Sequence, residues 1–465
     1  MFSKGNNKGR EISWERVLLI LIFLSFLLQT LFFIFYLSQY FGPDEAYHYN
    51  VSIAYSKVFG IPKNSSETFL YGDITRIPFL FYWLSGRFIN IANILKIDSF
   101  ILLRFLSLLY SLVTMFFVWL ISKDVIKEKY YRVLPVFMLA NTMMFSFLGG
   151  VVTYDTLVNL FLVISFWSLL LYLKQDSKCT KYLLIWIATS LLACATKFPA
   201  LPFVFLGFVV ILFFVCKNKI KFWKELSNPK IIFPIIFICF FILINFYIYG
   251  INILRYKRVT PVCNQVMQHE ECLNNAIYRR SFVYEETGIQ SREGKRIRDL
   301  LLTDERMNPF DFFFDWEASI SPRLYGIFSH SSITFPRNFS FVYTLVFLLL
   351  MIPFIRYIKK SDKQIVVAFF LVLGYVLVLA FFQHYYWYLK MNRLNIAMQG
   401  RYLLPVIPAA YLIEVWSLTK IRNDRFKKLI LIVILLIFLC GNVFIFTKSI
   451  IYGGAEWYPN LFNSI

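Results

Sequence analysis

The residues best suited to chemistry stand in Gly42-Pro43-Asp44-Glu45-Ala46-Tyr47-His48. Asp44 and Glu45 are neighbouring carboxylates, and such neighbours raise each other's proton affinity. That suits a general base, which works best with a pKa near the working pH. Asp44 and His48 are four positions apart, so a helix resuming after Pro43 puts both on one face. With Asp155, the same side chains make a candidate donor set for a divalent ion. The plainer reading is a helix start, with Asp44 and Glu45 as first-turn acids offsetting orphan N–H groups.

Four more ionisable residues interrupt or border apolar runs. Asp155 lies in Val152-Thr153-Tyr154-Asp155-Thr156, Lys197 in Thr196-Lys197-Phe198-Pro199, Arg104 in Leu103-Arg104-Phe105, and Arg401 in Gln399-Gly400-Arg401-Tyr402. Charge within a membrane helix is expensive and points to function by default. The bland alternatives are a cap for Asp155, a snorkelling side chain for Lys197, and interfacial anchors for the arginines. Read functionally, the cations hold a phosphate or pyrophosphate at the lipid–water boundary. A carboxylate beside them takes a proton from an incoming nucleophile.

The elements that carry these residues are membrane helices. The 465 residues are 58% hydrophobic, 20% aromatic and only 16% charged. A soluble domain averages about a quarter charged, so this chain lacks the polar surface of a water-soluble globule. Apolar runs near 17–38, 101–121, 133–152, 154–173, 182–199, 201–216, 231–250, 340–358, 364–382, 402–419 and 428–447 predict an all-α polytopic protein. That makes about eleven transmembrane helices. The first run is longer than a signal-peptide core and has no small-residue cleavage site after it, so it reads as a retained helix.

The net charge of +21 falls in clusters between those runs, around Arg10/Arg16, Lys127/Arg132, Lys178/Lys181, Lys219/Lys224, Lys359/Lys360 and Arg425/Lys428. All lie on one side if the N-terminus is cytoplasmic, which is the positive-inside pattern. No basic groove or nucleic-acid motif accompanies them, so nucleic acid is not an expected partner. The other side receives a first loop, 39–100, a long loop, 251–339, the aromatic segment 383–400 and the C-terminus, all attached to a single membrane domain, 1–465. The stretch Phe79–Leu95 is apolar but broken by Arg87, and reads as an interfacial helix. Cys263 and Cys272 are a candidate disulfide, given an oxidising compartment around the long loop. Trp316 and Trp387 are interfacial anchors first and sugar platforms second.

Taken in order, these motifs resemble the GT-C superfamily of membrane glycosyltransferases. The branch is that of protein O-mannosyltransferases and the lipid A aminoarabinose transferase. The resemblance rests on Asp44-Glu45 after the first helix, Ile77-Pro78-Phe79-Leu80-Phe81-Tyr82-Trp83, Arg104-Phe105-Leu106-Ser107, Asp155, Thr196-Lys197-Phe198-Pro199 and Arg401-Tyr402-Leu403-Leu404-Pro405. Pro43-Asp44-Glu45-x-x-His48 with Gln399-Gly400-Arg401-Tyr402 looks most like a bacterial membrane-protein branch of that clan. The chain departs from the pattern at Phe198, where the family has glycine, and at Arg76-Ile77-Pro78, which lacks the first of two prolines.

The resemblance implies a sugar transferred from a polyprenyl-phosphate donor to an acceptor hydroxyl outside a bacterial plasma membrane, with inversion. Asp44 would be the base and Glu45 its orienting or ion-binding neighbour. Lys197 and Arg401, with Arg104 and His48, would hold the phosphate or substrate, and Asp155 would position a hydroxyl or share an ion. The acceptor would be a glycan, lipid or protein. A lipid-linked glycan flippase and an envelope polysaccharide polymerase are the competing readings.

Overall fold

The computed structural model describes residues 14–71, 73–175, 180–217, 232–274, 278–279, 297–302, 306–329, 332–358, 362–391, 393–394 and 398–462. Arg10, Lys178, Lys219, Lys224, Lys359 and Lys360 of the basic clusters lie outside these residues. Helix dominates because a backbone crossing hydrocarbon must bond its polar groups within its own segment.

Among the described residues, seven helices are long and apolar enough to cross a membrane. They are α1 (Trp14–Tyr36), α4 (Ser99–Val125), α7 (Tyr154–Lys174), α10 (Ile232–Asn245, running on to Tyr256), α12 (Arg337–Tyr357), α13 (Lys363–Leu377, running on to Met391) and α15 (Asp424–Trp457). A bent pair, α5 (Leu134–Ala140) and α6 (Met143–Gly149), breaks by 67° where Asn141 and Thr142 turn the chain. The shorter apolar helices are α8 (Thr180–Thr196), α9 (Ala200–Lys217) and α14 (Ile407–Thr419). Together these are the apolar segments the sequence predicts, and the protein is an integral multi-pass membrane protein. Helices α10 and α13 run further than expected, each through a π-helical segment, Phe246–Gly250 and Val378–Tyr385, and α15 runs on to Trp457. The aromatic segment after Gln383 therefore begins as helix rather than loop.

The layers follow from burial. Helix α7 is apolar all round and enclosed by protein, as is α14. Around them α1, α10, α12 and α15 leave most of their apolar surface outward, as a lipid-solvated ring requires. On one end lie α2 (Glu45–Ser56) and α3 (Leu80–Leu95), packed on each other and on α4. They close a second core around Tyr55, Phe81, Tyr82, Phe100 and Val152. Helix α3 falls outside the span candidates. Arg87 does not face lipid: its Nη2 donates to the Tyr55 and Val58 carbonyls at the end of α2. The amphipathic α11 (Pro309–Leu324) starts at Asn308, whose side chain accepts from the Phe310 and Asp311 amides. Trp316 on α11 is buried and donates to His384 Nδ1 at 2.7 Å, so it is neither an interfacial anchor nor a sugar platform. Among the described residues the strand content is one hairpin, Ile327–Phe328 with Ser332–Ile333.

Candidate active site

Asp44 sits in the turn between α1 and α2 with φ 56° and ψ 20°, the left-handed region that aspartate enters more readily than most residues. Its side chain makes no cap bond to α2. The turn aims the carboxylate sideways, where Oδ2 accepts from Arg401 Nη2 at 2.6 Å. About half of the side chain remains exposed. Burial alone would raise the carboxyl's pKa, but the charge and hydrogen bond of Arg401, with the charge of Lys197, hold it at about 2.

Asp155 stands in the first turn of α7, where Thr153 is the cap: its Oγ1 accepts from the Asp155 amide at 3.2 Å. That frees the buried Asp155 carboxylate for Lys197 Nζ at 2.5 Å and Arg401 Nη1 at 3.3 Å. Lys197 occupies the turn from α8 into α9, its amide bonded to Ala193 and its carbonyl to the Ala200 amide. Snorkelling would carry it to water; instead it is buried between two rings, 4.3 Å from the Tyr154 centroid and 5.0 Å from that of Tyr402. Arg401 lies in the 3-10 turn Gly400–Leu403 ahead of α14. Gly400 is required there, because a Cβ would fall 2.2 Å from the Leu324 backbone nitrogen at the end of α11. Arg401 is buried, and its Nε has no partner among the described residues.

The residues lining a cleft at this point include Asp155, Lys197, Tyr375, Arg401 and Tyr402, with apolar walls from Val158, Pro199, Ala200 and Pro405. Tyr375 braces it, donating to the Tyr402 carbonyl at 3.1 Å and the Pro199 carbonyl at 3.4 Å. Sequence reasoning missed Tyr154, Tyr375 and Tyr402. The signal for two of them was adjacency, since Tyr154 precedes Asp155 and Tyr402 follows Arg401. Tyr375 is a lone hydroxyl in an apolar run.

Glu45 and Arg104 form a separate, closed pair. Arg104 Nε and Nη2 fork onto the Glu45 carboxylate at 2.9 and 3.0 Å. The remaining guanidinium hydrogens go to the Ile34, Leu37 and Ser38 carbonyls, the orphan acceptors at the end of α1. Glu45 also accepts from the Gly42 and Val152 amides at 3.0 and 2.8 Å. Both side chains are fully buried and fully bonded, so Arg104 has no N–H left for the phosphate expected of it. Glu45 likewise has no lone pair directed at a substrate or ion. His48 is buried on α2, its Nδ1 3.1 Å from the Tyr82 hydroxyl and its Nε2 unpartnered among the described residues. Burial drives this imidazole down to about 3 despite the pull of Asp44, so it is neutral.

These contacts decide the divalent-ion reading. Glu45 is saturated, Asp155 is shared by two cations, and one nitrogen of His48 is taken by Tyr82. Among the described residues no three His, Cys, Asp or Glu side chains gather as ligands. Asp44, Glu45, His48 and Asp155 do not fit a divalent ion as a set. Elsewhere, Cys263 and Cys272 are bonded to each other in the long loop, with Cα atoms 5.8 Å apart.

No family model matches the sequence, and neither does any curated protein. Solved structures do match. ArnT from Cupriavidus metallidurans bound to undecaprenyl phosphate aligns with a TM-score of 0.51 at 12% identity, over 90% of this chain and 62% of that one. Its apo state aligns with 0.51 at 11%, over 89% and 62%. The Archaeoglobus fulgidus oligosaccharyltransferase tethered with an acceptor peptide aligns with 0.50 at 12%, over 94% and 55%. The chain thus spans about three fifths of the length of ArnT. At these identities the likeness is one of fold: the chain shares the helical membrane architecture of ArnT and of the oligosaccharyltransferase over about nine tenths of its length.

Proposed function

We propose that the protein is a glycosyltransferase that moves a sugar from a polyprenyl-phosphate donor to an acceptor hydroxyl on the extracytoplasmic side of a bacterial plasma membrane, in envelope glycan or glycoconjugate assembly. The observation that carries this reading is the chain of ion pairs Asp44–Arg401–Asp155–Lys197 at one end of the helix bundle, with Arg401, Asp155 and Lys197 lining a small cavity. They are distant in sequence and come from three different turns. The small cavity sets buried cations beside apolar walls, a setting that suits an anionic headgroup on an apolar carrier. ArnT bound to undecaprenyl phosphate and the oligosaccharyltransferase supply the analogy of fold.

In this reading Asp44 accepts the proton of the acceptor hydroxyl. The oxygen attacks the anomeric carbon, and the carbon–oxygen bond to the phosphate breaks on the opposite face, inverting that centre. The bonding pair leaves with the polyprenyl phosphate, whose growing charge Lys197 and Arg401 stabilise. Preorganised cations in a dry site contribute several kcal/mol to such a step. Asp155 holds both cations in place, and His48 offers a neutral hydrogen-bonding nitrogen beside the substrate. Glu45 and Arg104 fix the turn that carries Asp44. Acidic and basic groups gathered at one end of the bundle, rather than at its middle, favour transfer over transport.

The test is incubation of purified protein in detergent with a panel of polyprenyl-phosphate sugars, following release of free carrier phosphate. At least one sugar should give release that Asp44→Asn abolishes. Release unaffected by Asp44→Asn would remove the assignment of the base.

A further inference from the structure

In the resting site Asp44 is a poor base, because Arg401 holds its carboxylate at 2.6 Å. The same Arg401 bridges to Asp155 at 3.3 Å and keeps a buried Nε without a partner among the described residues. We infer that the donor phosphate takes Arg401 away from Asp44, so that donor binding itself creates the free carboxylate that activates the acceptor. This rests on the proposed transferase reading and adds an order to it: donor first, then acceptor.

Competition for the cations decides which contact yields. Asp44, Asp155, Lys197 and Arg401 together carry no net charge, so an arriving phosphate has to draw on cations already neutralised by carboxylates. Asp155 is buried and held by both cations, and stripping it would strand a charge away from water. Asp44 has one ion-pair partner, Arg401, and is 49% exposed, so water can solvate it once it is released. The contact to Asp44 is therefore the least costly to give up. The guanidinium also has the geometry for the change. Its unpaired Nε and the Nη2 now on Asp44 form one edge, the fork that grips two phosphate oxygens. Once free, Asp44 takes the acceptor proton as the glycosidic oxygen leaves with its electron pair on phosphate. When the carrier phosphate departs, Asp44 gives its proton to water through its exposed side and Arg401 returns to the carboxylate. A base silenced until the donor arrives avoids futile proton abstraction, and the acceptor meets an active carboxylate only beside a sugar.

The experiment labels Asp44 with a water-soluble carbodiimide and a neutral amine, in the full-length protein in detergent, and reads the modified peptide by mass spectrometry. Undecaprenyl phosphate is the probe, and undecaprenol, with the same tail and no phosphate, controls for shielding. Binding of each is measured separately by thermal shift. The expected result is that undecaprenyl phosphate binds and raises Asp44 labelling several-fold over undecaprenol. Binding with labelling equal to or below the undecaprenol control overturns the exchange while leaving the donor site standing. Failure of undecaprenyl phosphate to bind, with Lys197→Ala behaving like the unsubstituted protein, overturns the donor-site reading and the exchange together.

Discussion

Asp44 answers to a backbone constraint as well as a chemical one. Its left-handed φ of 56° is tolerated by asparagine and aspartate but strained for most side chains. Asp44→Asn is therefore the clean probe. It keeps the turn, removes the base, and should lower transfer by about two orders of magnitude or more, while membrane insertion and detergent melting stay near those of the parent. Asp44→Val would mix strain with lost chemistry. His48 yields a prediction of another kind. Its folded pKa of about 3 lies below the ordinary 6.5. Below pH 6.5 the unfolded chain therefore takes up a proton that the folded chain refuses. Stability is lost as pH falls through that window, by about 1.4 kcal/mol per pH unit. Melting temperature measured from pH 7.5 to 4.5 should drop in the parent, and the drop should shrink in His48→Gln, which cannot titrate. An equal drop in both proteins would mean that other groups carry the acid sensitivity.

Elements place these side chains, and here the sequence was legible unevenly. Helix positions followed directly from apolar length, because hydrocarbon leaves few alternatives to a helix of about 20 residues. The side chains that share a site were legible only as residues at one end of the bundle. Nothing in the sequence separated Arg104 and Glu45 from Arg401 and Asp44, since both pairs read as cation and carboxylate. The difference is local: Arg104 sits where α4 crosses the carbonyl end of α1, and Glu45 where two backbone amides converge on it. The second pair is accordingly a brace joining α1, α2 and α4. Arg104→Met strands a buried carboxylate and leaves helix carbonyls unpaired. It should cost about 3–5 kcal/mol, read as a lowered melting temperature and poor membrane yield. Arg104→Met combined with Glu45→Gln should recover part of that loss, because the lone charge is gone. Full stability of the single variant would refute the bracing role. Gly400 is a second element-scale constraint: Gly400→Ala should displace the Arg401 turn from α11 and lower transfer with little change in yield.

For the whole molecule, the question is which side of the membrane the site faces. A nucleotide sugar is too charged to cross hydrocarbon, so a site on the far side needs a donor that arrives on a lipid, as the apolar walls around Lys197 and Arg401 suggest. With the N-terminus cytoplasmic, as the alternation of basic connectors predicts, Asp44, Asp155 and Arg401 would lie on that side, and a bonded Cys263–Cys272 pair in the long loop suits an oxidising compartment. Helix order gives the same parity, because the site is built from the end of α1, the start of α7, the end of α8 and the start of α14. One extra or missing crossing would separate these ends, so the ion pairs linking them constrain the topology as strongly as the charges do. The orientation can be tested with single introduced cysteines and a membrane-impermeant maleimide. Lys63→Cys, in the exposed loop after α2, should be labelled in intact cells. Arg425→Cys, in the exposed first turn of α15, should be labelled only after the membrane is opened. The reverse pattern would put Asp44 in the cytosol, where nucleotide sugars are available and the case for a lipid-borne donor loses its physical ground.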